Sequence, residues 1–213
     1  MPGLKTIMQT TPFETTQQKE LRASCIETIG CILESVKDQP EVMSADAREV
    51  AQYLVELFNS NKLDESDPQV VMIQCTFHQL AMCLKHEFKP YLGPIMECLI
   101  RDCKKDVDLR IVDADSAARE DADDKNIKVE INIKGQEGAK QITMNTSALT
   151  NKLSAIQIIK SMSDSLGPVF FDWVDPVATL VVNEMMVDLT SSQIRKTATK
   201  TLPILMKCLT DSN

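Results

Sequence analysis

Apolar side chains recur along this chain at intervals of three and four residues, the spacing that puts them on one face of a helix. Leu21, Cys25, Ile29, Ile32 and Val36 predict a helix over 16–36. Asp38-Gln39-Pro40 ends it, because a residue before proline avoids helical backbone angles. A second helix is expected after Ser44, with Ser44 as its cap, Asp46 in its first turn and Val50, Leu54 and Leu57 as its stripe. Asp67-Pro68 is a strong helix start. Val70, Ile73, Phe77, Leu80, Leu84 and Phe88 follow at helical spacing, and Pro90 is expected to stop them before a shorter helix from Tyr91 to Cys103. Leu149, Leu153, Ile156, Ile159 and Leu166 mark another long helix, closed by Gly167-Pro168. Trp173 to Leu189 is its partner. Ser191 opens a last helix with Ile194, Ala198, Leu202, Leu205 and Leu209 on one face, and Pro203 predicts a kink within it.

The order is long helix, proline, shorter helix, three times over, then half a unit. Long helices start near Thr16, Pro68, Leu149 and Ser192, so the outer spacings are about 50 and about 40 residues and the middle one about 80. Two helices at a period of about 40–47 residues are the signature of HEAT repeats. No hairpin of this kind buries its own apolar face, and stacking against neighbours does so. The expected fold is an all-α superhelical solenoid of about three and a half hairpins: 16–60, 67–103, 146–189 and a helix over 191–210.

The long middle spacing leaves an insertion at 104–145. It carries the acidic run DADSAAREDADD, with Asp113, Asp115, Glu120, Asp121, Asp123 and Asp124 against one arginine. Further on, IKVEINI (127–133) alternates apolar and polar residues. It can pair with KQITMN (140–145) across a turn at GQEG, giving a short β-hairpin that must lean on the helices. The acidic run has the composition of a solvated loop, and it also suits electrostatic contact with a basic partner. Exposed pairs contribute ~0.2–1 kcal/mol each, so any such contact is collective and salt-sensitive.

Charge narrows the partners. A net charge of −8 without a basic stripe argues against nucleic acid, which needs clustered Lys and Arg, and favours basic proteins. Seven cysteines, an odd number with no CxxC pair, lie mostly in apolar stripes, as free thiols of a reduced compartment do. There is no secretory h-region and no unbroken run of ~18 apolar residues, so membrane insertion is not expected.

Chemistry has little purchase. Cys75, His78 and Cys83 form the one tempting metal cluster, but no second ligand pair follows, so no metal or other cofactor is expected. The two histidines, His78 and His86, stand outside any nucleophile motif, and there is no phosphate-binding glycine loop. A binding protein is expected rather than an enzyme. The polar faces of the second helices are the candidate contacts: Glu49, Tyr53 and Glu56; then Glu97 and Arg101; then Thr179 and Asn183, with Trp173 nearby. Carboxylates and amides beside an aromatic can hold a lysine by charge pairing and cation–π contact. The same residues also read as an ordinary solvated face, with Trp173 packed between units.

Three segments carry a family resemblance: ELRASCIETIGCILESVKDQPEVM, SDPQVVMIQCTFHQLAMCLKHEFKPYLGPIMECLIR and QIRKTATKTLPILMKCL. They resemble the importin-beta (karyopherin-beta) superfamily, closest to its importin beta three, or importin five, branch. The first and third are general HEAT text; the second, with its downstream acidic loop, is more specific. The resemblance implies a central fragment of a long HEAT solenoid, monomeric and shuttling between cytoplasm and nucleus. It further implies binding of basic cargo or nuclear localisation signals, release by Ran-GTP, and contact with nuclear pore repeat proteins. In the family the second helices face cargo and Ran, and an acidic loop is linked to their exchange. A HEAT scaffold subunit, such as a phosphatase regulatory subunit or a cytoskeletal assembly factor, is the alternative reading.

Overall fold

A computed structural model describes residues 1–60, 63, 67–107, 109–113, 126–131 and 140–211. Its helices are α1 (Pro2–Thr10), α2 (Thr16–Ser35), α3 (Pro40–Asn59), α4 (Pro68–Leu84), α5 (Lys89–Lys104), α6 (Thr146–Leu166), α7 (Val174–Leu180) and α8 (Ser192–Thr210). Between α5 and α6 lie strands β1 (Leu109–Asp113), β2 (Asn126–Ile131) and β3 (Lys140–Asn145).

The helices form two rows. α2, α4, α6 and α8 stack side by side as first helices, and α3, α5 and α7 follow them as second helices. Backbone carbonyls of one first helix accept from side chains of the next. Thr76 Oγ1 donates to the Ile26 carbonyl at 3.2 Å and Cys83 Sγ to that of Leu33 at 3.0 Å. Seven residues after Thr201, Cys208 Sγ donates to the Ser163 carbonyl at 3.3 Å. Gly30 eases the approach of α2 and α4: a Cβ there would lie 3.0 Å from Thr76 Oγ1 and would displace the end of the Gln79 side chain. The apolar faces merge into one core along the array, from Ile26, Leu33 and Leu54 through Phe77 and Leu99 to Ile159, Val177 and Leu205. Phe77 anchors its middle, edge-on to Phe58 at 6.3 Å and to Phe88 at 6.4 Å. The expected all-α hairpin array is thus the architecture found.

Caps set several starts. Thr15 and Gln18 make a reciprocal capping box on α2. Asp67 Oδ1 accepts from the Gln69 amide at 2.9 Å, and Ser191 Oγ from the amides of Gln193 and Ile194. α3 departs from expectation. It starts at Pro40 with Gln39 as cap, not after Ser44, because proline in the first turn gives up only an N–H with no helical partner. Pro90 likewise sits in the first turn of α5 rather than stopping α4, which ends at Leu84. Lys85 there takes φ +48°, and Gly167 takes φ +50° at the matching turn after α6. α7 widens into a π-helical turn over Val181–Met185 and ends short of Leu189. α8 continues through Pro203 to Thr210.

Two features were absent from the sequence reading. α1 lies against α2 and is tied to α3 by Lys5, which pairs with Asp46 at 2.6 Å and with Glu49. The insertion carries a third strand: β3 is central, antiparallel to β2 on one side, the expected hairpin, and to β1 on the other. Residues 148–185 are long and apolar enough by composition to cross a membrane. The positive φ at Gly167 breaks that stretch into two helices whose apolar sides join the core.

Candidate functional site: the junctions between units

Each of the first three first helices presents a polar side chain to an aspartate near the end of its unit. At the first junction Lys19 of α2 reaches Asp67, the cap of α4, with Nζ 3.1 Å from Oδ2. Asp67 is fully buried as a side chain and also holds the amide nitrogen of the Gln69 side chain at 3.1 Å. At the third, Lys152 of α6 pairs at 2.9 Å with Asp188, just before α8, and both side chains are nearly buried. Asp188 also accepts from the Thr190 and Ser191 amides at 2.8 and 3.1 Å, and from the Thr190 hydroxyl. Burial alone would raise its pKa, but the Thr190 hydrogen bonds and the Lys152 ammonium outweigh that and hold the carboxyl below its ordinary 3.8.

The middle junction is built differently. α4 presents Gln74, whose Nε2 donates to Asp102 Oδ2 at 2.8 Å. Asp102 sits in the last turn of α5, where the insertion departs. Its cation is Lys105, three residues on, 2.9 Å from Oδ1. Beside this pair opens a groove of about 450 Å³ between α3, α4, α5 and the start of α6. Phe58, Val71 and Pro94 form apolar walls, and Glu97, Arg101 and Asn151 add polar groups.

A further polar node joins α1 to α4. Arg22 on α2 is 1% exposed. Its guanidinium donates to Gln69 Oε1 at 2.7 Å, Tyr53 Oη at 2.8 Å, the Thr11 carbonyl at 2.9 Å and the Met8 carbonyl, and lies over the Phe13 ring. The last carbonyls of α1 are thereby capped by a cation, as the helix dipole favours.

The sequence-selected residues fall into distinct places. Glu97 and Arg101 share the groove, and the Arg101 guanidinium also donates to Cys98 Sγ at 3.2 Å. Glu56 is exposed and accepts from Gln52 at 2.7 Å. Glu49 pairs with Lys5, and Tyr53 belongs to the Arg22 node, donating to the Met8 carbonyl at 3.0 Å. Thr179 and Asn183 are exposed on α7 and its π turn. Trp173 is half-buried and packs on the core. Asp113 closes β1 opposite Lys140, while Asp115, Glu120, Asp121, Asp123 and Asp124 lie outside the described residues. Sequence reasoning missed Gln74, Asp102 and Lys105. Polar residues in a stripe, Gln74 one position from Ile73 and Asp102 beside Cys103, were the available signal.

The two thiols beside Asp102 are not poised for reaction. Burial, with Asp102 nearby, pushes Cys98 up to about 11 and Cys103 up to about 12, so both stay protonated near neutrality. Cys83 is committed to the Leu33 carbonyl, while Cys75 is exposed and His78 half-buried. No cluster of three metal-ligating side chains occurs among the described residues.

No family model matches the sequence. Two rows of stacked helices joined at polar junctions define a HEAT-type helical solenoid, and solved structures share that fold. The chain superposes on Kap121p bound to Ste12p with a TM-score of 0.74 at 21% identity, over 100% of this chain and 19% of that one. It matches Kap121p bound to RanGTP with a TM-score of 0.67 at 17% identity, over 100% of this chain and 23% of that one. For Kap121p bound to Nup53p the TM-score is 0.67 at 18% identity, over 99% and 22%. The chain therefore spans about a fifth of the length of the structures it resembles.

Proposed function

We propose that this chain is a central segment of an importin-β-type nuclear transport receptor of the importin-five branch. It binds basic proteins or nuclear localisation signals, is regulated by Ran-GTP, contacts nuclear pore repeat proteins, and moves between cytoplasm and nucleus. The observation that supports this reading is the match to the Kap121p solenoid over 100% of this chain at a TM-score of 0.74. Kap121p is seen bound to Ste12p, to RanGTP and to Nup53p. A net charge of −8 suits basic partners. The mechanism is recognition rather than catalysis. Units that touch only their neighbours flex along the array. A regulator that binds one curvature better than another then shifts the population and with it the affinity for cargo.

The contact surface in this reading is the acidic insertion together with exposed positions on the second helices: Glu56, Glu97, Arg101, Thr179 and Asn183. Passing the full-length protein over immobilised Ran tests the proposal. Retention with GTP loaded and loss with GDP is the expected result. Equal retention in both nucleotide states overturns it.

A further inference from the structure

We propose that the groove at the middle junction is a receptor pocket for a lysine side chain of a partner protein, and that Lys105 occupies its cation position when no partner is bound. The inference deepens the proposed function by naming the group recognised and the place where it sits.

The pocket has a floor, walls and a displaceable occupant. Asp102 is the floor, its side chain 7% exposed. Oδ2 is committed to Gln74 at 2.8 Å. Oδ1 has the Lys105 ammonium 2.9 Å away, yet accepts no hydrogen bond, because that ammonium approaches outside hydrogen-bonding angles. A buried carboxylate oxygen so placed gains from a donor aimed along its lone pair. Asp67 Oδ2 has a comparable off-angle lysine in Lys19, but Asp67 is not among the residues that line this groove.

The walls suit a four-carbon stem. Phe58, Val71 and Pro94 offer apolar surface beside the floor, and about 450 Å³ accommodates the side chain. A lysine lays its methylenes on such surface while its charge seeks acceptors. Glu97 and Asn151 line the same groove and supply further oxygens.

Lysine fits better than arginine. A guanidinium gains most from two parallel acceptors, and with Oδ2 taken by Gln74 only one carboxylate oxygen of Asp102 is left. An ammonium is a point charge that needs no such pair.

Charge makes the process an exchange. Glu97 and Asp102 are balanced by Arg101 and Lys105, all four lining the groove. An incoming ammonium would leave an excess of positive charge unless Lys105 withdraws. Lys105 lies just beyond α5 and its side chain is 28% exposed, so withdrawal into solvent moves no core residue.

The test uses the chain with acetyl-Gly-Lys-Gly-amide as probe and the norleucine peptide as control, followed through the side-chain amide NMR signals of Gln74 and Asn151. The lysine peptide should shift both signals and the norleucine peptide neither. Lys105→Ala should tighten binding by about fivefold, the factor for an ammonium that no longer competes at Asp102. Asp102→Asn keeps an acceptor for Gln74 and should abolish the shift; Glu97→Gln, at an exposed position, should weaken it without affecting folding. Equal response to both peptides, no response up to the solubility of the probe, or unchanged affinity in Lys105→Ala overturns the proposal. Ran plays no part in this experiment, so its outcome is separate from that of the nucleotide-dependent retention.

Discussion

The outer junctions and the middle one solve the same problem with different chemistry. At the outer two a lysine on a first helix meets an aspartate just before the next first helix, at 3.1 Å for Lys19 and Asp67 and 2.9 Å for Lys152 and Asp188. In the second unit a neutral glutamine takes the lysine's place, and the aspartate belongs to the end of that unit's own second helix, so the contact stays within one hairpin. A charge pair spanning two units ties them together; a pair made three residues apart, as between Asp102 and Lys105, ties a helix end to its own continuation. The ends of the array are thus bolted by largely buried lysine–aspartate pairs, whereas the ion pairs between the second and third units, Lys89 with Asp172 at 3.2 Å and Lys104 with Glu184 at 3.7 Å, lie in the open, where the insertion leaves and the groove opens.

That contrast can be broken, beginning with the strongest bolt. Lys152→Met strands Asp188 in a site where both partners are nearly buried, so urea denaturation should show a loss of about 3–5 kcal/mol. Lys19 is 23% exposed, and water repays part of its loss, so Lys19→Met should cost about 1–3 kcal/mol. Losses no larger than those of surface lysines at both positions would remove the distinction. The third outcome is a pH dependence. The folded pKa of Asp188 lies below its ordinary 3.8. Its stabilisation is therefore complete above the unfolded pKa and is lost as pH falls through the folded value. Thermal melts of Asp188→Asn should lack that part of the acid limb; an unchanged limb would show that Asp188 does not contribute. The smallest effect should come from converting the middle junction to the outer type. Gln74→Lys sets a lysine against Asp102 where both positions are buried, so desolvation offsets the new pairing and the net change should stay within about 1 kcal/mol while Lys105 is released. A larger destabilisation would mean that the glutamine is required by packing.

Much of this was legible in local pattern, because caps and stripes act over one or two turns. Thr16, Pro68 and Ser192 open helices as their neighbours dictate, and the alternation in 127–133 marks β2 and its pairing with β3. What escaped notice depends on distant residues. α1 buries only Met8 among its own residues, too little for a stripe, and is held from outside by Arg22 of α2 and by Asp46 and Glu49 of α3, which pair with its Lys5. β1 has five residues and finds its partner in β3, some way down the chain. On α2 the stripe was drawn through Leu21, yet Leu21 is 49% exposed and Arg22 is buried in its place. A charged residue reads as surface unless the carbonyls that will receive it are visible, and those of Met8 and Thr11 belong to another helix. The groove was out of reach for the same reason, since its lining runs from Phe58 to Asn151.

β3 ends at Asn145 and α6 starts at Thr146, with no residue between them. A strand joined to a helix without slack behaves as a handle on a rod. Whatever grips the sheet pulls on α6, and Lys152, less than two turns along, carries that pull to the bolt at Asp188.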